Sequence, residues 1–183
     1  HGNVADRCAI VTAIGPILAD PYGAPDLPSH IHGSISHKDN LGLAVAIIDD
    51  EGRVGCDVER CTNHAAGLLQ NRILTQMERD SLGTTPSTSE DASGISDSAL
   101  TLQQDIMLRF SFKESVFKAI HPFLARSVDF TEVQVFPTLS CTPKDAQSGE
   151  LSGSAKIDFL LTGSDGKGSD VDTSLDLQFS YEA

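Results

Sequence analysis

Residues 110–120 read F-S-F-K-E-S-V-F-K-A-I, and how they wind decides what the rest of the chain is for. Placed on a helix at about 100° per residue, Phe112, Val116, Phe117, Ala119 and Ile120 gather on one side, and Ser111, Glu114, Ser115 and Lys118 gather opposite. One face seats the helix on a core, and the other presents a carboxylate and an ammonium one turn apart. At its blandest, Glu114 with Lys118 is a surface pair contributing about 0.2–0.5 kcal/mol. Lys113 does not fit that description, because it falls on the apolar arc between Phe117 and Ile120. A cation there is costly unless it reaches a partner, so an anionic group is expected near the helix.

Upstream, residues 41–48 are almost continuously apolar, as in a strand covered on both faces. Asp49-Asp50-Glu51-Gly52 supplies turn chemistry, and residues 53–59 return as a second strand, giving an expected hairpin. A period of two puts Val54, Cys56 and Val58 on one face of the return strand, and Gly55, Asp57 and Glu59 on the other. Asp57 and Glu59 stand about 6–7 Å apart by strand rise and repel each other. They make sense either as a solvent-facing polar edge or as joint ligands of a divalent cation, for which magnesium suits hard oxygen donors best. Earlier still, an extended Ile31–His37 places Ser34 and Ser36 on one face and Ile35 and His37 on the other. Such a serine-rich end can donate several hydrogen bonds to an oxyanion, and equally suits a plain strand-to-turn junction.

Farther out, Ile10, Ile14, Ile17 and Leu18 recur with helical spacing up to Asp20-Pro21. The passage from Pro21 to Pro28 is too rich in proline for regular structure. Leu68, Leu69, Ile73 and Met77 suggest a helix running to about Leu82, and residues 83–99 read as a mobile insertion of Ser, Thr, Gly, Pro and acid. The central helix is expected to stop near His121-Pro122, with a strand over Phe130–Phe136 and two half-buried strands near residues 155–161 and 174–181, joined by 163–172. The fold class is α+β with mainly antiparallel pairing.

A chain of 183 residues fits one domain or two small halves packed together. Thirteen Lys and Arg against 26 Asp and Glu leave a net charge of -13, which argues against non-specific binding to nucleic acid or anionic membrane. No run of 18 apolar residues is present and the first residues do not read as a signal peptide, so a cytoplasmic setting is expected. Cys8, Cys56, Cys61 and Cys141 read as reduced thiols. Cys56, Cys61 and His64 form C-x4-C-x2-H, which lacks the second ligand pair of a usual zinc site.

Three blocks stand in order: G-S-I-S-H at 33–37, V-G-C-D-V-E at 54–59 and F-S-F-K-E-S-V-F-K-A at 110–119. Together they resemble the 4'-phosphopantetheinyl transferases, in particular the larger siderophore and peptide-synthetase class, over roughly Arg7 to Phe136. The resemblance implies a pseudo-twofold pair of α/β halves with coenzyme A between them. Residues 1–52 would form a partial N-terminal half, and 53–183 the C-terminal half carrying the metal site. It implies Mg²⁺-dependent transfer of the phosphopantetheine arm of coenzyme A to a serine of an apo acyl or peptidyl carrier protein, with release of 3',5'-ADP, by a monomer of the holo-acyl-carrier-protein synthase kind. Carried over by position, Asp57 and Glu114 ligate the metal and Glu59 completes the site. Lys118 contacts the pyrophosphate, Ser36 and His37 lie at the nucleotide phosphates, and Lys113 adds charge nearby. Glu114, or a water it orients, is the implied acceptor of the serine proton. The alternatives are a non-catalytic module that binds carrier proteins or nucleotides, and the small trimeric synthase type.

Overall fold

The computed structural model describes residues 16–21, 23–48, 52–61, 63–84, 100–124, 126, 128–140, 150–160 and 179–182. In chain order the elements are β1 (Ile31–Lys38), β2 (Leu41–Ile48), α1 (Asn63–Ile73), α2 (Gln76–Asp80), α3 (Leu102–Leu124), a 3-10 turn (Phe130–Glu132), β3 (Val133–Ser140), β4 (Glu150–Phe159) and β5 (Phe179–Glu182). β1 and β2 form a two-stranded antiparallel sheet, and β3, β4 and β5 an antiparallel sheet in that order, so the fold is α+β.

α3 contains the stretch 110–120 and seats as its pattern requires. Phe112 and Val116 are buried against Val133 and Val135 of β3 and Ala155 and Ile157 of β4, with Phe117 and Ile120 packed at the margin. Fully burying side chains of this kind contributes about 1.5–3 kcal/mol each, so the helix is held chiefly by this face. Its start is a reciprocal cap: the Gln104 N–H donates to Thr101 Oγ1, and the Thr101 N–H donates to Gln104 Oε1. The end corrects the expected stop at His121-Pro122, because the helix continues to Leu124 with Pro122 inside it. Pro122 has no N–H to donate to the Lys118 carbonyl, so the helix runs on with one bond of its ladder missing.

Two buried ion pairs fasten α3 to its neighbours. Lys113 Nζ donates to Glu78 Oε2 at 2.7 Å, to the Ile73 carbonyl at 2.6 Å and to the Phe130 carbonyl at 2.8 Å. Glu78 also accepts from the Thr75 N–H at 2.8 Å and the Val135 N–H at 2.9 Å, so its carboxylate joins α2, β3 and α3. Arg109 donates to Asp105 at 2.8 Å and to the Val135 carbonyl at 2.7 Å, while Asp105 accepts from the Gly83 N–H. Around the first pair, Ile73, Leu74, Ile106 and Met107 make a second apolar cluster.

Several expectations are revised. The hairpin that includes residues 41–48 is made with β1, in the register Ile31↔Ile48 to Lys38↔Leu41, and not with residues 53–59. Asp39-Asn40 turns it, with Asp39 at φ 52°, a left-handed conformation that Asp tolerates. This shorter connection lets adjacent segments pair, leaving 53–59 without a strand ladder. Leu41, Leu43 and Ile48 are exposed, so β2 is not covered on both faces among the described residues. The expected helix to Leu82 is two helices, broken where Thr75 caps α2 through a capping box with Glu78. The strand expected from Phe130 starts at Val133, because Asp129 and Glu132 cap a 3-10 turn first. The C-terminal strands pair as expected, Gly153 opposite Phe179, although β4 also pairs with β3. Residues 10–15 and 85–99, which carry most of the expected N-terminal helix and of the expected insertion, lie outside the described residues. None of the helices described is long and apolar enough to cross a membrane.

Candidate active site

The segment 53–59 reaches its position by an unusual device: serine hydroxyls stand in for ladder carbonyls. The Cys56 N–H donates to Ser34 Oγ at 3.1 Å and the Val58 N–H donates to Ser36 Oγ at 3.2 Å. Both serines are buried, while Ile35 and His37 point outward, as the alternation along β1 dictates. The Cys56 thiol donates to the Ser34 carbonyl at 3.2 Å, so it serves as a buried hydrogen-bond donor. Burial pushes the Cys61 thiol above its ordinary range, against the thiolate that a zinc site needs, and the His64 side chain lies outside the described residues.

The other face of this segment meets α3 at contact distance. A Cβ built on Gly55 would stand 1.8 Å from the Ser115 carbonyl oxygen and 3.0 Å from the Ala119 nitrogen. Backbone cannot yield there, so Gly55→Ala must push the segment away from the helix. We expect a loss of about 1–3 kcal/mol in urea unfolding, with activity falling further because the acids move with the backbone. Unchanged stability and activity would contradict the close approach.

Two residues on, the same face carries Asp57. Its Oδ1 accepts from Lys118 Nζ at 2.7 Å and from Ser36 Oγ at 2.9 Å, while its Oδ2 is buried with no hydrogen-bond partner among the described residues. The Asp57 side chain is only 5% exposed. Lys118 spends a second N–H on the Cys56 carbonyl at 3.1 Å, leaving one of its three donors for another acceptor. Glu114, one turn before Lys118, is partly buried, and its carboxyl is held above the usual carboxylate range. Burial is the main cause, repulsion by Asp57 and more weakly by Glu59 adds to it, and Lys118 opposes it. Glu59 is paired with Lys38 at 2.7 Å.

Asp57, Glu114 and Lys118 are therefore brought together, with Glu59 close enough to act on Glu114 electrostatically. Ser36 lies behind Asp57, positioning it. His37 is exposed, beside Ser36 and Lys38. Lys113 is not brought to this cluster: it is fully buried, with its ammonium spent on Glu78 and two carbonyls, so the anion expected near the helix is Glu78. Burial pulls the Lys113 pKa below its ordinary value, and Glu78 opposes that pull.

Beside the cluster opens a cleft of about 530 Å³, walled by the turn 23–29, the start of β1, Arg53-Val54 and the end of α3. Lys118 belongs to both cleft and cluster, whereas Ser36, His37, Asp57, Glu59 and Glu114 do not line the cleft. The turn that forms one wall is pinned by Asp20, whose Oδ1 accepts from the Ala24 N–H and whose N–H donates to the Ala24 carbonyl, with Gly23 at φ 87°. Sequence reasoning missed Lys38 as the partner of Glu59 and Arg53 as a cleft residue; the adjacency of Lys38 to the serine-rich strand was the available signal for the first.

Among the described residues no group of three His, Cys, Asp or Glu forms a ready metal cage. Magnesium does not require one, since it keeps several waters and binds through one or two carboxylates together with substrate phosphates. The buried, unpartnered Asp57 Oδ2 beside a carboxyl raised by its neighbours is the donor set such an ion fits.

Residues 53–161 match the model of the 4'-phosphopantetheinyl transferase superfamily. The chain is also 33% identical over 122 residues to the 4'-phosphopantetheinyl transferase Svp of Streptomyces mobaraensis, a match covering 66% of this chain and 45% of that relative. The chain thus spans less than half the length of this relative.

Proposed function

The chain belongs to the 4'-phosphopantetheinyl transferase superfamily, and on that premise we propose that it moves the phosphopantetheine arm of coenzyme A to a serine of an apo acyl or peptidyl carrier protein, with magnesium, releasing 3',5'-ADP. The observation that carries this reading is the meeting of Asp57, Glu114 and Lys118: Lys118 bonds Asp57 Oδ1, Asp57 acts electrostatically on Glu114, and Asp57 Oδ2 is buried with no hydrogen-bond partner among the described residues.

In the proposed reaction the serine oxygen forms a bond to the β-phosphorus of coenzyme A as the bond to the departing nucleotide phosphate breaks. Asp57 Oδ2 and Glu114 would hold the magnesium ion, with Glu59 completing the set directly or through water once it shares its bond to Lys38. The ion, when bound, neutralises charge on the phosphate oxygens and orients them for in-line attack. Lys118 offers its remaining N–H to the pyrophosphate, where negative charge grows as the nucleotide leaves. Glu114, or a water it orients, takes the serine proton. Ser36 keeps Asp57 in register, and His37 would reach the phosphates only from the exposed side of β1.

The pseudo-twofold arrangement belongs to the same proposal, with residues 1–52 as a partial first half and 53–183 as the second. Its support is that the family match begins at residue 53 and that the two sheets fall on either side of that point. The test is incubation with coenzyme A, magnesium and an apo carrier protein. A mass gain of one phosphopantetheine arm on the carrier is expected. Nucleotide binding without any gain would instead support the non-catalytic module.

A further inference from the structure

Three alternate residues of β1, Ser34, Ser36 and Lys38, share the strand face turned toward residues 53–60. The two serines hold that segment in register, Ser34 through the Cys56 N–H and Ser36 through the Val58 N–H and the Asp57 carboxylate. Lys38 continues the series, with its Nζ 2.7 Å from Glu59 Oε2. The next residue on each side pairs with the charges reversed, Arg60 Nη2 standing 2.7 Å from Asp39 Oδ2. Beyond Val58, among the described residues, the segment is thus fastened to the tip of the β1–β2 hairpin by two ion pairs and not by a serine hydroxyl.

Ser36 and Lys38 treat the two acids of the segment alike. Asp57 gives Oδ1 to Ser36 and Lys118 while its Oδ2 has no partner among the described residues. Glu59 gives Oε2 to Lys38, and an ionised carboxylate has about four lone-pair sites, so Oε1 can still meet a cation or one of its waters. Like charge at Glu114 pushes Glu59 away, and Lys38 is what holds it against that push. We propose that Lys38 is a positioning residue, which grips Glu59 from β1 and so aims its second oxygen at the ion shared by Asp57 and Glu114. This rests on the proposed function, which puts the ion there, and goes beyond it in assigning how the third carboxylate is brought to bear and by which residue.

Removing Lys38 has two effects of opposite sign. As a charge alone, Lys38 repels a divalent cation, so its loss would tighten magnesium binding. As an orienter, it keeps Glu59 in place, so its loss weakens binding, as happens when partners behind metal ligands are removed. The Lys38 side chain is 44% exposed, so solvent screens the first effect and the second prevails.

The test is calorimetric titration of magnesium into the whole chain loaded with coenzyme A, with the magnesium dependence of transfer measured alongside. Lys38→Met is expected to bind magnesium about three- to tenfold more weakly, and to need a similarly higher concentration for half-maximal transfer, while the rate at saturating magnesium changes less than about twofold. Lys38→Arg, which still donates to the carboxylate, should recover most of the affinity. Asp39→Asn breaks the neighbouring pair alone and should leave magnesium affinity within about twofold of wild type, which separates orientation of Glu59 from fastening of the segment. Undiminished or tighter magnesium binding in a folded Lys38→Met protein, or an equal loss in Asp39→Asn, overturns the assignment and leaves the proposed function standing. Wild-type protein that binds no magnesium in the presence of coenzyme A overturns both.

Discussion

Replacing Lys113 by methionine is expected to lower the unfolding free energy by about 3–5 kcal/mol, read from urea denaturation. The volume is nearly kept, so the loss comes from charge. Lys113 is wholly buried, and without it the Glu78 carboxylate keeps, among the described residues, the Thr75 and Val135 N–H groups. The carbonyls of Ile73 and Phe130 lose their shared donor as well. Adding Glu78→Gln to Lys113→Met should recover part of the loss, because no uncompensated charge then remains in the core. A Lys113→Met cost below about 1 kcal/mol would mean that the pair holds nothing together. Catalysis offers a contrast within one helix: Lys113 is expected to affect activity only through stability, and its neighbour Glu114 to affect it directly.

Glu114→Gln should cut transfer by about 10²–10⁴-fold, the range for losing a general base, and further to the extent that metal affinity falls with it. In chelator, the same variant should be more stable than wild type at neutral pH, because it removes a carboxylate that burial and Asp57 disfavour. The sign follows from the raised carboxyl. A group whose pKa is higher in the folded than in the unfolded protein holds its proton more tightly when folded, so stability falls as pH rises from the ordinary Glu value through the raised one. The glutamine variant lacks that slope, which melting curves across the mildly acidic range would reveal. Equal stability at all pH values would show that neither burial nor Asp57 disturbs Glu114.

Much of this was legible in the chain because it rests on periodicity. The apolar arc of residues 110–120 predicted the buried face of α3, and the alternation in Ile31–His37 predicted that Ser34 and Ser36 share a face, though not that this face is the buried one. The shared face of Gly55, Asp57 and Glu59 was legible as well, although the segment is not a ladder strand. Alternation reports which way side chains point and is silent on what the backbone pairs with, so the hairpin was assigned to the wrong partner. The cost of Lys113 on an apolar arc was also readable, but not its resolution. Glu78 is 35 residues away in sequence, and nothing local distinguishes a carboxylate that reaches the core from one that only caps α2. Glu78 caps α2 from within the core. Arg53 was invisible for the same reason, since its guanidinium lies over the Phe123 ring on a distant helix.

The central claim is that Asp57 and Glu114, with Glu59, share one divalent ion, and calorimetric titration of magnesium into the coenzyme A-loaded protein tests it most directly. One ion per chain is expected to bind the wild type, with binding lost or weakened at least tenfold in Asp57→Asn and in Glu114→Gln, both still folded. Magnesium binding of undiminished affinity in both variants would contradict it.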